Sequence, residues 1–155
     1  MYVIEAIDFN RIYKYWECLW PNRKTPIEPS NPIQFMGGID LSLKDVVPTF
    51  FGCYKNNKLV GVNSGIKTHT LLYRSRGIWT SESERRNGIG SLLLNAVEKQ
   101  GITEGCEYIW SMPRYSSYKF YKRNGFVRCS KWLGDYEFGP NCFVLKRGDN
   151  ERTNI

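Results

Sequence analysis

With 155 residues, 41% of them apolar and 15% aromatic, the chain can bury one hydrophobic core, and a single globular domain is the expectation. No run reaches the roughly 18 apolar residues of a membrane span, and the opening MYVIEAIDFN carries Glu5 and Asp8 where a secretory leader would be basic and then apolar, so a cytoplasmic protein is expected. The net charge of +7 fits an anionic partner and an ordinary basic surface equally well, and leaves nucleotide, nucleic acid and no partner all open.

Along the chain the periodicity alternates between strand and helix. Tyr2 to Ala6 reads as a short strand, and from Asn10 the residues Ile12, Trp16, Leu19 and Trp20 share one helical face until Pro21 stops the run. Residues 21 to 48 hold five prolines and the pair Gly37-Gly38, which predicts loops and short helical turns. Thr49 to Tyr54 and Lys58 to Thr68 then form a hairpin across Lys55-Asn56-Asn57, and a third strand covers Tyr73 to Thr80. A helix from Gly88 to about Glu104 places Ile89, Leu92, Leu93, Ala96 and Val97 at helical spacing. The strand Glu107 to Met112 suits a sheet interior, Ser116 to Arg123 reads as a short helix closed by Gly125, and Phe126 to Trp132 and Asn141 to Lys146 supply two more strands. Residues 1–146 are thus read as the domain and 147–155 as a frayed tail.

Cys18, Cys53, Cys106, Cys129 and Cys142 are scattered, odd in number and without a CxxC pair, so buried thiols are preferred over a metal or disulfide role, and no metal is expected. The chemically suggestive stretch is Arg85-Arg86-Asn87-Gly88-Ile89-Gly90-Ser91, which opens a helix. A first helical turn leaves N–H groups without partners and carries partial positive charge, which attracts phosphate. Glycines keep side chains away from those amides, and Arg85 and Arg86 add full charge. The stretch is neither a P-loop, since no GKS/T follows, nor GxGxxG; taken alone it is a weak signal.

Arg85 to Gly90 is similar to the R/Q-x-x-G-x-G/A signature of the GNAT superfamily of N-acetyltransferases, and Phe120-Tyr121-Lys122-Arg123-Asn124-Gly125-Phe126 resembles that family's FYxxxGF. The pair, separated by one long helix and one strand, is far more specific than either motif, and the likeness covers roughly residues 49 to 130. Two departures stand out. Thr80, Glu82 and Glu84 occupy positions where the family often has a hydrophobic residue, a proline and an aromatic, and Arg114 replaces an asparagine seven residues before the tyrosine. Neither removes a backbone amide.

The resemblance implies a mixed α/β fold, a mostly antiparallel central sheet of six to seven strands flanked by helices, with a splayed strand pair around the cofactor. It implies that acetyl-CoA binds with its pyrophosphate on the amides of Arg86, Asn87, Gly88, Ile89, Gly90 and Ser91, with the charge of Arg85 nearby, and its pantetheine along Ile78 and Thr80. It also implies direct acetyl transfer to an amine in a ternary complex, with Tyr121 as general acid, because a phenol is protonated at neutral pH and can give its proton to a thiolate. No base is evident: Tyr73-Arg74-Ser75-Arg76 lacks a carboxylate, Glu82 and Glu84 read as solvated residues near a helix start, and His69 reads as a surface residue. Arg74 and Arg76 share one strand face, and with Arg114 they are candidates to clamp an anionic acceptor, against the alternative that they are solvated. Trp16, Trp20, Phe35 and Met36 are expected to line or cover the acceptor cleft.

The expected partner is a small-molecule or peptide amine, with no membrane, and homodimerisation stays open. A non-catalytic acyl-CoA-binding module is the alternative. A basic nucleic-acid-binding domain ranks last, since residues 74 to 123 hold nine Lys/Arg against five Asp/Glu and no recognisable motif.

Overall fold

The computed structural model describes residues 1–134 and 136–148. Strand β1 (Tyr2–Ile7) and helix α1 (Phe9–Leu19) open the chain; β2 (Thr49–Lys55), β3 (Lys58–His69) and β4 (Leu72–Thr80) follow as a meander. Then come α2 (Ile89–Thr103), β5 (Tyr108–Ser111), α3 (Tyr115–Arg123), β6 (Val127–Arg128) and β7 (Val144–Arg147). One seven-stranded sheet results, in the order β1-β2-β3-β4-β5-β7-β6. Neighbours are antiparallel except β4 and β5, which run parallel because α2 carries the chain back across the sheet. Among the described residues no helix is long and apolar enough to cross a membrane.

The two helical layers follow from strand alternation. Val62 packs with Phe50 against Ile12 and Trp16 of α1. A Cβ on its neighbour Gly61 would press on Ile89 and Leu93 of α2, so α2 covers the opposite face. Trp16 and Leu93 are completely buried, each worth roughly 1.5–3 kcal/mol or more of apolar transfer. The β2–β3 turn uses Asn56 and Asn57, both at positive φ (50° and 64°), the backbone that a tight hairpin requires. Helix α3 ends at Asn124, and Gly125 at φ 90° lets the Phe126 N–H return to the Tyr121 carbonyl (3.1 Å) while the Phe126 ring tucks into the core.

Residues 21 to 48 are irregular apart from a single 3-10 turn at Phe35–Gly37. The last two strands are shorter than their apolar patterns predict. β6 keeps only Val127–Arg128, and beyond it Cys129 N–H to the Phe143 carbonyl (2.9 Å) and an isolated Leu133–Asn141 bridge replace a regular ladder. β7 begins at Val144 and includes Arg147, paired with Tyr108, which the sequence pattern assigns to the tail. Residues 149–155 of that tail lie outside the described residues.

Candidate active site

Strands β4 and β5 pair at Leu72–Tyr108, Tyr73–Ile109 and Arg74–Trp110, and then separate. At the fork Ser111 Oγ donates to the Ser75 carbonyl (2.8 Å), and just beyond it Gly77, at φ 78°, bulges the strand over α1. Trp16 Nε1 donates to the Gly77 carbonyl (2.8 Å), and a Cβ at Gly77 would overlap that indole. The bulge is therefore built by the glycine and held by the tryptophan. Further along, the Ser81 N–H donates to Val60 in β3 (2.8 Å). Main-chain direction alternates along a strand, so Thr80 and, two residues back, Ile78 turn their N–H and C=O groups the other way, into the gap left by β5.

The gap leads to the turn ahead of α2. Arg86 (φ 70°) and Gly88 (φ 80°) both take left-handed backbone, and none of the N–H groups from Arg86 to Ser91 has an acceptor among the described residues. The first intrahelical partner is Leu92 N–H to the Gly88 carbonyl (3.1 Å). A cavity of about 510 Å³ lies here, lined by Ile78, Thr80, Arg85, Arg86, Gly88, Ile89, Gly90 and Ser91 together with Phe120 and Arg123. Ile89 is 1% exposed with its side chain in the core, so it offers the cavity main chain only. Asn87 is the one candidate of the stretch that does not line the cavity; its side-chain amide turns back to Glu84. The two glycines have different reasons. A Cβ at Gly88 would meet nothing within 4 Å, so only its φ demands glycine, whereas a Cβ at Gly90 would stand 2.7 Å from two ring carbons of Phe120.

Glu84 corrects a sequence expectation. It is no solvated residue: its carboxylate accepts from Tyr2 Oη (2.7 Å), Lys55 Nζ (3.1 Å) and Asn87 Nδ2 (3.2 Å), tying the turn to β1 and β2. The Tyr2 hydroxyl first, then Lys55, hold this carboxyl below its ordinary range. A depressed folded-state pKa contributes stability that is present above the unfolded value and lost as pH falls through the folded one. Thermal melts of wild type and Glu84→Gln at stepwise lower pH should therefore converge as pH drops below the ordinary glutamate range near 4.5. Parallel curves would show that the three bonds contribute nothing to holding the turn. Glu82, by contrast, is exposed.

A second cavity, of about 260 Å³, opens at the fork and shares Ile78 with the first. It brings together four of the candidates: Tyr121, Arg74, Arg76 and Arg114. Tyr121 is 3% exposed, its ring against Phe126 (5.2 Å between centroids) in the α2–α3 core, and its Oη lies 3.1 Å from Ser111 Oγ. Because the Ser75 carbonyl can only accept, it takes the Ser111 proton, and Ser111 Oγ is left to accept from the phenol. Burial pushes the phenol's pKa up against the opposing pull of Ser111, Ser75 and the Arg74 cation.

The arginines are not solvated. Arg74 and Arg76 are 7% and 5% exposed, their guanidinium groups over Trp110 (4.9 Å) and between Trp16 (4.6 Å) and Trp20 (4.9 Å). Burial lowers Arg74 to about 10; burial, with the neighbouring Arg74 and Arg23 cations, lowers Arg76 to about 9, so both stay charged at neutral pH. Arg114, half-buried at the start of α3, donates to the Leu19 carbonyl (2.6 Å). Of the expected aromatic cover, Trp20 lines the cavity, Trp16 sits beneath Arg76, Phe35 packs instead on Trp110 and Phe143, and Met36 is half exposed. His69 ends β3 and lines neither cavity. Ser111, a lone polar residue in an apolar strand, and Glu137, whose carboxylate accepts from the Lys24 N–H (2.9 Å), are among the lining residues that the sequence does not single out.

Three of the five cysteines are buried, and Cys18 and Cys129 are exposed. No cysteine lines either cavity among the described residues.

Comparison with solved structures finds the same fold throughout the chain. An aminoglycoside 6'-N-acetyltransferase complexed with coenzyme A superposes with a TM-score of 0.71 at 15% identity, covering 95% of this chain and 97% of that one. An acetyltransferase of the GNAT family from Staphylococcus aureus gives 0.67 at 14% identity, covering 96% and 100%. Ard1 from Thermoplasma volcanium gives 0.59 at 22% identity over 65% of this chain and 71% of its own. A comparison with curated proteins finds no match. The sequence model of the acetyltransferase (GNAT) family matches residues 9–126, which include both cavities' core elements, the open-amide turn and Tyr121, and the chain belongs to that family.

Proposed function

We propose that this protein is an N-acetyltransferase that moves an acetyl group from acetyl-CoA to a primary amine by direct attack in a ternary complex, on an acceptor that carries an anionic group. The observation that supports it most is a pair of cavities that share Ile78 in their linings, one bordered by five residues with open amides and the other by a buried phenol. The first suits coenzyme A. Open N–H groups at a helix start, with Arg85, Arg86 and Arg123 beside them, are what a diphosphate needs, and the free edge at Ile78 and Thr80 can pair with the amides of a pantetheine arm.

Bound acetyl-CoA supplies an acetyl thioester open to attack by an amine, and a thiolate to be protonated afterwards. The chain's own residues have modest tasks. Tyr121 holds a proton at Oη, kept there by burial at physiological pH, and Ser111 orients it. Glu137 is the one carboxylate lining the acceptor cavity among the described residues, so it is the side chain available to take the proton of an entering ammonium. The lack of a cysteine in the lining favours direct transfer over an acyl-enzyme.

Thermal-shift titration tests the binding half. Acetyl-CoA and free coenzyme A should both raise Tm, by an amount growing with the logarithm of ligand concentration, and short DNA should not. A thiol-release assay over an amine panel tests the chemistry. Stabilisation by coenzyme A with no turnover on any amine would reduce the protein to an acyl-CoA-binding module.

A further inference from the structure

Resting on that reading, we propose that the acceptor is a small amine whose carboxylate or phosphate sits on Arg74 and Arg76, only a few bonds from the nitrogen that is acetylated. Both arginine residues are more than nine-tenths buried, and neither has a carboxylate partner among the described residues. Arg74 Nε and Nη1 and Arg76 Nη2 are buried donors without any acceptor. The neighbouring donors are already engaged, Arg76 Nη1 with the Glu28 carbonyl (3.0 Å) and Arg114 Nη2 with the Leu19 carbonyl (2.6 Å). The open ones therefore select the spot. Stacking on Trp110, Trp16 and Trp20 fixes both planes in advance, so little freedom is lost when an oxyanion arrives.

A buried unpaired cation is a standing cost to the fold, and two side by side repel one another. Arg23, stacked on Trp20 at 5.5 Å, and Arg114 bring the cations at the same cavity to four, against Glu137 alone among the described residues. Such a site repels polyamines. It welcomes an oxyanion with several acceptor oxygens.

The spacing argument comes from the fork. The pairing of β4 with β5 ends at Arg74, and the next residue, Ser75, is linked through Ser111 Oγ (2.8 Å) to the Tyr121 hydroxyl (3.1 Å further). The anion seat and the phenol thus sit at the same end of one cavity of about 260 Å³, which suits an amino acid or a short aminoalkyl phosphate rather than a long chain.

Calorimetric titration and thiol release on the coenzyme A–competent protein would use matched probes. These are α-amino acids, β-alanine and 2-aminoethyl phosphate, each beside its neutral relative (amide, methyl ester or ethanolamine), with spermidine as the cationic member. At least one anionic series should exceed its neutral relatives by about 100-fold in affinity and kcat/KM, as expected for charge-assisted pairs. Which series does so separates carboxylate from phosphate. Arg74→Met and Arg76→Met should cut that preference to about tenfold or less, and Arg74→Met should raise Tm by about 2–4 °C, because a merely structural arginine would do the reverse. Equal use of neutral relatives, preference for spermidine, or a lowered Tm with unchanged selectivity would each overturn the assignment. Failure of coenzyme A to bind would sink the acetyltransferase reading instead, and the calorimetric arm would still decide the anion seat.

Discussion

Tyr121→Phe is expected to lower kcat by roughly 100-fold, within the range for loss of a general acid, while the affinity for coenzyme A changes by less than about twofold. The split follows from where the two halves of the side chain lie. The ring is core: it packs in one cluster with Leu94, Cys106 and Phe126, and phenylalanine fills that space equally well. The hydroxyl alone reaches the fork, with Ser111 Oγ 3.1 Å away. Its loss removes one hydrogen bond of about 1 kcal/mol and leaves Ser111 still bonded to Ser75, so Tm should hardly move.

The proton is the part that cannot be replaced. A departing thiolate with an ordinary pKa of roughly 8.5 has a real affinity for it, and burial keeps the phenol protonated well past neutrality. Steady-state kinetics at saturating acetyl-CoA over pH 6 to 10 would show it. The variant's deficit should be largest at high pH, where water and buffer supply protons poorly. An unchanged kcat would leave the phenol a packing residue whose hydroxyl merely braces Ser111.

How much of this was legible in the residues depends on the range over which each feature is written. The hairpin at Asn56-Asn57, the α1 face built on Ile12 and Trp16, and the α3 stop at Gly125-Phe126 are local patterns, and each stands where the pattern puts it. Glu84 looks solvated in the sequence because its partners come from 82 and 29 positions away, and no local signal joins Tyr2 or Lys55 to it. The burial of Arg74 and Arg76 is similarly remote in origin. Two arginines on a strand face look like a wet surface until Trp16 and Trp20, at the end of α1, cover Arg76 and Trp110 of β5 covers Arg74. The fork itself could be expected only through the family resemblance. Its physical causes, the Gly77 bulge over Trp16 and the Ser111–Ser75 bond, link segments that the sequence keeps far apart. β6 fails for the opposite reason: an apolar run from Phe126 to Trp132 promises a strand, but after Arg128 its partner segment no longer offers a regular edge.

Gly90→Val should weaken coenzyme A binding by tenfold or more, a loss of at least about 1.4 kcal/mol. Gly90 stands in the first turn of α2, facing α3, where an added Cβ would come within 2.7 Å of Phe120 Cε1 and Cζ, and valine adds two methyl groups beyond that. Either the ring or the helix start must move. Phe120 lines the coenzyme A cavity and is edge-on to Tyr121 at 5.4 Å, so a displaced ring narrows the cavity, while a displaced helix misaims the open amides of Gly90 and Ser91. Overpacking of this kind also costs about 1–3 kcal/mol of stability, read as a lower Tm. Gly88→Ala is the informative contrast. Its Cβ would point into open space, and only the φ of 80° resists it, at roughly 1 kcal/mol for left-handed backbone. Isothermal titration with coenzyme A should therefore rank wild type, then Gly88→Ala, then Gly90→Val, in falling affinity. Wild-type affinity in Gly90→Val would mean that the amides of this turn do not carry the diphosphate.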